Sequence, residues 1–370
     1  MAKKKPKQLP SRKQPTLSSL RAEIDRLDRD IIHLANKRAE LALKIGKVKD
    51  SDGQTIYDAG REDQVIARAQ ELNKGPLEDR TVRSIFRELI SGSRALEKVL
   101  RVAYLGPAYT FSHLAAIEKF GQTVDYVPVG SIGAVFEAVN RGQVDYGLVP
   151  LENSTDGRVA DTLELFTRLP VKICAEVRLR IHHNLLGRCS HAEVGEVYSR
   201  PQALSQCRDW LSKNLAQARL IEVTSTATAA QLARDKPGAA AVGSRQAAVE
   251  YDLNILAANI EDNRNNITRF AVIGHDKSPR TGKDKTTIMF EIPHRPGSLA
   301  DALVAFKRNR INMTWIESFP MRGQEEGYLF FVDMEGFESD TRVKKTLSAL
   351  ERRAVRLEVM GSYPRSEPID

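Results

Sequence analysis

The 370-residue chain predicts a multidomain protein with three folded segments of different class: all-α over 17–100, two-lobed α/β over 101–276, and α+β over 286–363. Three observations carry this reading. Apolar residues from Leu20 to Val48 recur at alternating four- and three-residue steps, a helical heptad stripe. From Arg101 onward, short apolar runs alternate with helix-length segments across polar turns, the pattern of open α/β sheets. From Thr287 the order becomes strand, helix, strand, strand, helix, strand, a ferredoxin-like split unit.

Composition narrows the function. The chain is 41% hydrophobic and 28% charged, ordinary for a globular protein. No apolar run approaches the ~18 residues of a membrane span, and the N-terminus lacks the apolar core of a signal peptide, so a cytoplasmic protein without membrane contact is expected. Net charge is +8, but Lys3, Lys4, Lys5, Lys7, Arg12 and Lys13 supply six of those charges within residues 1–16, where there is no acid. The body is nearly balanced and has no basic stripe, which argues against nucleic acid as a partner. The tail 1–16 reads as disordered and solubilising, with nucleic-acid tethering as its rival. Cys174, Cys189 and Cys207 show no CxxC spacing and the histidines form no HExxH, so no disulfide, metal or cofactor is expected.

The first helix is read from about Leu17 to Lys49, capped by Thr16 or Ser18. Its stripe runs Leu20, Ile24, Leu27, Ile31, Leu34, Arg38, Leu41, Ile45, Val48. At ~1.5 Å per residue such a helix is ~50 Å long, and its narrow apolar face requires partner helices, a second copy of itself among them. Arg38 breaks the seam either as a register-setting or snorkelling side chain or as a functional cation. A second helix opens at Tyr57–Glu62 and runs to about Leu72; a third runs from about Pro76 to Leu100.

The pattern LRxEIDxLDxxIIxLxxxRxELALxIGKVK, then YDxxRE, then Ser93 and Glu97 on the third helix, resembles the helical chorismate mutases. The resemblance implies an intertwined homodimer and places active-site residues at Arg21, Arg38, Lys49, Asp58, Arg61, Glu62, Ser93 and Glu97. The residue types suit the reaction. Chorismate carries two carboxylates, for which arginines are apt, and its rearrangement is pericyclic, needing only a held conformer and stabilisation of charge on the breaking ether oxygen. Arg21, Arg38 and Arg61 suit the carboxylates, Lys49 the ether oxygen and Glu62 the ring hydroxyl. Glu97 stands where many such mutases carry glutamine, and can donate a hydrogen bond only when protonated. Arg21 and Lys49 lie 28 residues apart, roughly 42 Å along one helix, so a substrate touching both must draw them from two protomers.

In the middle segment, hydroxyl- and amide-rich junctions follow predicted strands at Glu152–Thr155, Ser199–Gln202, Ser225–Ala227 and Asn265–Phe270. Any one reads as a helix cap or turn; four together point to one polar cleft. Together with GPAYTFSHLAA, VPLENSTDGRV, HHNLL, SRPQALSQC, STATAA and IEDNRNNITRF, this segment resembles the prephenate dehydratases. The resemblance implies conversion of prephenate to phenylpyruvate with loss of carbon dioxide and hydroxide, and functional positions Glu152, Asn153, Ser199, Gln206, Thr268, Arg269 and Phe270. Arg269 is the expected carboxylate partner and Thr268 the expected donor to the departing oxygen; His182 and His183 are rival acids. The chain departs from the family at Tyr109, where glycine is common, and at Arg200, where histidine is usual.

Residues 277–285 (KSPRTGKDK) read as a linker and 364–370 as a C-terminal tail. Between them, PGSLADAL, INMTWIESFP and GYLFFVDMEG resemble the ACT domains, amino-acid sensors that bind L-phenylalanine between paired protomers in related enzymes. The resemblance places effector contacts at Gly297, Ser298, Leu299, Asn312, Glu317 and Ser318, with Phe319 where the family carries arginine. The whole chain thus resembles the bifunctional chorismate mutase–prephenate dehydratases of phenylalanine biosynthesis. An arogenate-using dehydratase and a catalytically silent phenylalanine-binding regulator are the alternatives.

Overall fold

A computed structural model describes residues 15–52, 55–320 and 328–369. The expected disordered tail lies outside the described residues except for Pro15 and Thr16. The chain divides into two compact units, residues 1–54 and 55–370.

Among its described residues the first unit is a single helix, α1 (Leu17–Ser51), capped by Thr16, whose hydroxyl accepts from the Ser19 amide at 3.2 Å. It is unbroken from Arg21 to Lys49. Its heptad stripe is exposed: Leu20 is 44% accessible, Ile24 55%, Ile31 63% and Leu41 53%.

The second unit begins with helices α2 (Ala59–Leu72) and α3 (Asp79–Ala95). The third helix is shorter than its apolar periodicity suggests, and Leu100 instead joins the core beneath the first strand. Then follow β1 (Arg101–Leu105), α4 (Phe111–Phe120), β2 (Asp125–Val129), α5 (Ile132–Asn140), β3 (Tyr146–Asn153), β4 (Gly157–Arg158), α6 (Ala160–Phe166) and β5 (Lys172–Arg180). The chain crosses to a second sheet with β6 (Asn184–Gly187), β7 (Glu196–Ser199), α7 (Pro201–Gln206), α8 (Arg208–Asn214), β8 (Arg219–Glu222), α9 (Thr226–Asp235), β9 (Ala239–Gly243), α10 (Arg245–Glu250) and β10 (Asn254–Ala257). It returns through β11 (Ile267–Gly274) to the middle of the first sheet. The C-terminal part comprises β12 (Asp284–Glu291), α11 (Ser298–Asn309), β13 (Met313–Pro320), β14 (Tyr328–Glu335), α12 (Thr341–Glu351), β15 (Arg356–Pro364) and β16 (Pro368–Ile369).

Three sheets result among the described residues. The seven-stranded sheet runs β16-β5-β11-β3-β1-β2 with β4 paired to β3; the five-stranded sheet runs β10-β6-β9-β7-β8; the four-stranded sheet runs β13-β14-β12-β15. The first is apolar on both faces, as a sheet covered on both sides must be. Tyr104, Leu148, Phe270 and Val272 pack on the α4 side. Val149, Leu151, Ala271 and Ile273 pack on the other side, in one core with Met289, Phe319, Phe331 and Tyr363 of the four-stranded sheet. These two sheets touch closely enough that a Cβ at Gly361 would overlap the Ile173 carbonyl.

Two expectations are corrected. The polar stretch 277–285 does not remain a linker to its end: Asp284 and Lys285 open β12 and are buried, because acidic partners distant in sequence receive the lysine. Nor is 364–370 a loose tail: β16 adds in parallel to the edge of β5 and the Ser366 amide donates to Glu176 at 3.0 Å. Among the described residues no helix is long and apolar enough to cross a membrane.

Candidate functional site

The hydroxyl- and amide-rich junctions converge on one cleft of about 590 Å³ between the seven- and five-stranded sheets. The β1–α4 turn contributes Gly106, Thr110 and Phe111; the ends of β3 and β4 contribute Asn153, Asp156 and Arg158; β11 contributes Thr268 and Phe270. From the opposite lobe come His183, Arg200, Gln206 and Ser225. Thr110 and Ser225 cap α4 and α9, so both helices present their N-termini, and their partial positive charge, to the cleft.

A directional hydrogen-bond network crosses its floor. The Asn153 side-chain oxygen accepts from the Thr155 amide at 2.9 Å and the Asp156 amide at 3.0 Å, which fixes the orientation of the carboxamide. Its Nδ2 therefore donates, to Thr268 Oγ1 at 2.8 Å and Asn266 Oδ1 at 2.9 Å. Asn266 donates to Gln206 Oε1 at 2.8 Å, and Gln206 donates to Asp156 at 2.7 Å. Because Gln206 Oε1 is an acceptor, His183 Nε2, 2.9 Å away, is the protonated nitrogen of that ring. Burial pushes the His183 pKa down, which favours the neutral ring, and its Nδ1 has no partner among the described residues. His182 instead pairs with Glu261 at 2.8 Å.

Three expected dehydratase positions fall elsewhere. Ser199 is fully buried and donates to the Val242 carbonyl at 2.7 Å, joining β7 to β9. Arg269 and Glu152 lie on the opposite face of the sheet from Thr268 and Asn153, since neighbouring strand residues alternate sides. The expected role of Arg269 as carboxylate partner is therefore corrected: its guanidinium is 7% exposed and bound to Glu176 and Asp333. The arginines lining the cleft are Arg158 and Arg200. Asn266 and Arg158 were legible only as members of the IEDNRNNITRF and VPLENSTDGRV motifs, and neither was singled out as a site residue.

The mutase positions divide between the two units. On α1, Arg21 is exposed and Arg38 and Lys49 are half-buried. In the second unit, Asp58 caps α2, accepting from the Arg61 amide at 2.9 Å. Ser93 is buried and donates to the Leu89 carbonyl at 2.6 Å. Glu62, expected to receive a ring hydroxyl, is bound by Arg94 Nη1 at 2.5 Å, and Arg94 also donates to the Phe120 carbonyl. Burial raises the Glu62 pKa against the pull of Arg94. Glu97 lies just past the end of α3; its basic neighbours Arg94 and Lys98 are bound to Glu62 and Asp145.

The expected effector positions are not gathered within one chain. Gly297, Ser298 and Leu299 line a groove of about 540 Å³ with Pro293, Tyr328 and Phe330. Asn312 lines a different one, Ser318 is exposed, and Glu317 pairs with Arg158 at 3.1 Å. Phe319 is buried against Phe331, in the core shared with the seven-stranded sheet.

Comparison with known proteins accounts for both sets of residues. Residues 20–98 match the type II chorismate mutase family and residues 102–278 the prephenate dehydratase family. The bifunctional chorismate mutase/prephenate dehydratase of Aquifex aeolicus is 43% identical over 355 residues, covering 95% of this chain and 98% of that protein. Its counterpart from Pseudomonas aeruginosa is 40% identical over 360 residues, covering 95% and 99%. The structure of prephenate dehydratase from Arthrobacter aurescens in complex with L-Phe is 30% identical with a TM-score of 0.67, covering 72% of this chain and 90% of that one. With both domains present in order and its relatives matched almost end to end, the chain belongs to the bifunctional chorismate mutase/prephenate dehydratase family, enzymes of phenylalanine biosynthesis.

Proposed function

We propose that the cleft between the two larger sheets is where prephenate loses carbon dioxide and hydroxide, with Thr268 donating to the departing oxygen. The carrying observation is the Asn153 amide, which donates to Thr268 Oγ1 and so leaves the threonine's own proton free for a second acceptor. As the carbon–carboxylate bond breaks, its electron pair aromatises the ring and expels the hydroxyl, whose developing negative charge the Thr268 hydrogen bond meets. The substrate's two carboxylates are met by Arg158, Arg200 and the N-termini of α4 and α9. Thr268→Ala should lose dehydratase turnover and Thr268→Ser should restore much of it; full activity in the alanine variant would overturn the assignment.

The mutase acts as a homodimer over residues 17–100, with Arg21 serving the partner's site. The support is the continuous helix between Arg21 and Lys49 together with the exposed Leu20–Val48 stripe. Of the cations on α1, Arg38 binds a carboxylate of chorismate and Lys49 its ether oxygen. Residues 286–363 form an ACT-type sensor for L-phenylalanine. The βαββαβ order supports it, as does Ser298 Oγ, buried at the N-terminus of α11 with no hydrogen-bond partner among the described residues. Calorimetry with L-phenylalanine on the full chain tests this; absence of heat at millimolar ligand would dispose of it.

A further inference from the structure

Two strands carry four residues with different surroundings. Asn153 pairs with Thr268 and Glu152 with Arg269 across β3 and β11, and the register then slips by one residue at Leu151. A bulge beside a site re-aims the side chains around it. Asn153 and Thr268 face the cleft, while Glu152 and Arg269 face the four-stranded sheet.

On that second face a buried polar cluster joins the two sheets. Arg269 lies 2.9 Å from Glu176 on β5 and 2.6 Å from Asp333 on β14. Lys285 on β12 binds the same two carboxylates at 2.6 and 3.2 Å. Arg269 Nη2 also donates to the Tyr363 hydroxyl at 3.0 Å. Thr287 donates to Asp333 at 2.6 Å, so the Tyr363 hydroxyl donates to Thr287, 2.5 Å away. The Trp315 ring covers the guanidinium at 5.4 Å, and Glu152 stands at the rim, 3.9 Å from Arg269. Two cations face two fully buried carboxylates. Burial alone would raise the Asp333 pKa, but Arg269 and Lys285 outweigh it and hold the carboxyl below its usual range. Removing one member of such a set leaves a charge without compensation, so the set resists displacement as a unit.

We propose that Arg269 and Glu152 are positioning residues for the dehydration, through which the β12–β15 sheet sets the placement of Thr268 and Asn153. The inference rests on the reading of Thr268 as the donor. A shift of either sheet moves Arg269 and Glu152 with the cluster, and the backbone carries their neighbours across the cleft floor. Arg158, which lines the cleft and pairs with Glu317 on β13, is a second tie between the same parts.

The test uses the full chain with Asp333→Asn, Tyr363→Phe, Arg269→Lys and Thr268→Ala, assayed for kcat and KM on prephenate, with thermal unfolding of the same samples as the control for folding. Asp333 and Tyr363 contribute nothing to the cleft lining. Both variants should lower dehydratase kcat, by about tenfold to a hundredfold for Asp333→Asn, with KM for prephenate little changed. Combining Asp333→Asn with Arg269→Lys should cost less than the product of the single effects. Tyr363→Phe removes only a hydroxyl, and carries the test if Asp333→Asn fails to fold. Unchanged kcat in both remote variants, or a raised KM with unchanged kcat in Arg269→Lys, would overturn the inference. Unchanged turnover in Thr268→Ala would instead overturn the reading on which it rests.

Discussion

The dehydratase cleft and helix α1 solve the problem of assembling a polar site in opposite ways. In the cleft, residues more than 100 positions apart in sequence, Asn153 and Thr268, are brought to hydrogen-bond distance by strand pairing within one chain. On α1, Arg21 and Lys49 are held apart by the helix itself, and the apolar residues between them are exposed. A β-sheet converts sequence separation into proximity; a straight helix converts it into distance at ~1.5 Å per residue. On the proposed reading, the first site is assembled within one chain and the second draws on two copies.

Breaking the stripe should separate the two activities most sharply. Ile24→Glu combined with Ile31→Glu places charge in the expected dimer seam and should lower mutase turnover by about a thousandfold or more, while the dehydratase keeps its own. Sedimentation alongside both assays checks this, and a monomer with full mutase activity would remove the shared-site argument. Next in size, Asn153→Ala removes the donor that orients Thr268 and should lower dehydratase kcat by about a hundredfold with the mutase untouched. Tyr109 offers a smaller effect. It sits at φ 65°, a left-handed conformation, and its ring meets Tyr251 edge-on at 6.4 Å across the lobes. Tyr109→Gly relieves strain of about 1 kcal/mol but loses the ring contact and loosens the unfolded chain, so thermal unfolding should move by only a few degrees. Smallest of all is Glu97→Gln, which should keep mutase turnover near wild type in the chorismate assay, because the amide supplies a hydrogen-bond donor in the same place.

Much of this was legible in the sequence because its signals are local. The heptad stripe, the cap at Thr16 and the polar junctions after strands, Ser225 among them, all depend on neighbouring residues. The sidedness of β11 was misread: Thr268 and Arg269 are both expected at the substrate, yet adjacent residues of a strand cannot face the same way. What remained hidden was long-range. KSPRTGKDK has the composition of a linker, and nothing nearby reveals that Lys285 is received by Glu176 and Asp333. Nor does anything local reveal that Glu62 is bound by Arg94 from another helix. Burying a charge depends on a partner elsewhere in the chain, so composition misjudges such residues where periodicity does not.

The central claim is that Thr268 serves one of two separable sites. Its most direct test is a time course with chorismate as the only substrate, added to purified full-length Thr268→Ala enzyme, with prephenate and phenylpyruvate followed together. Prephenate should accumulate at the wild-type mutase rate while phenylpyruvate formation falls by about a hundredfold to a thousandfold. Phenylpyruvate appearing at the wild-type rate would contradict the account, and so would equal loss of both products.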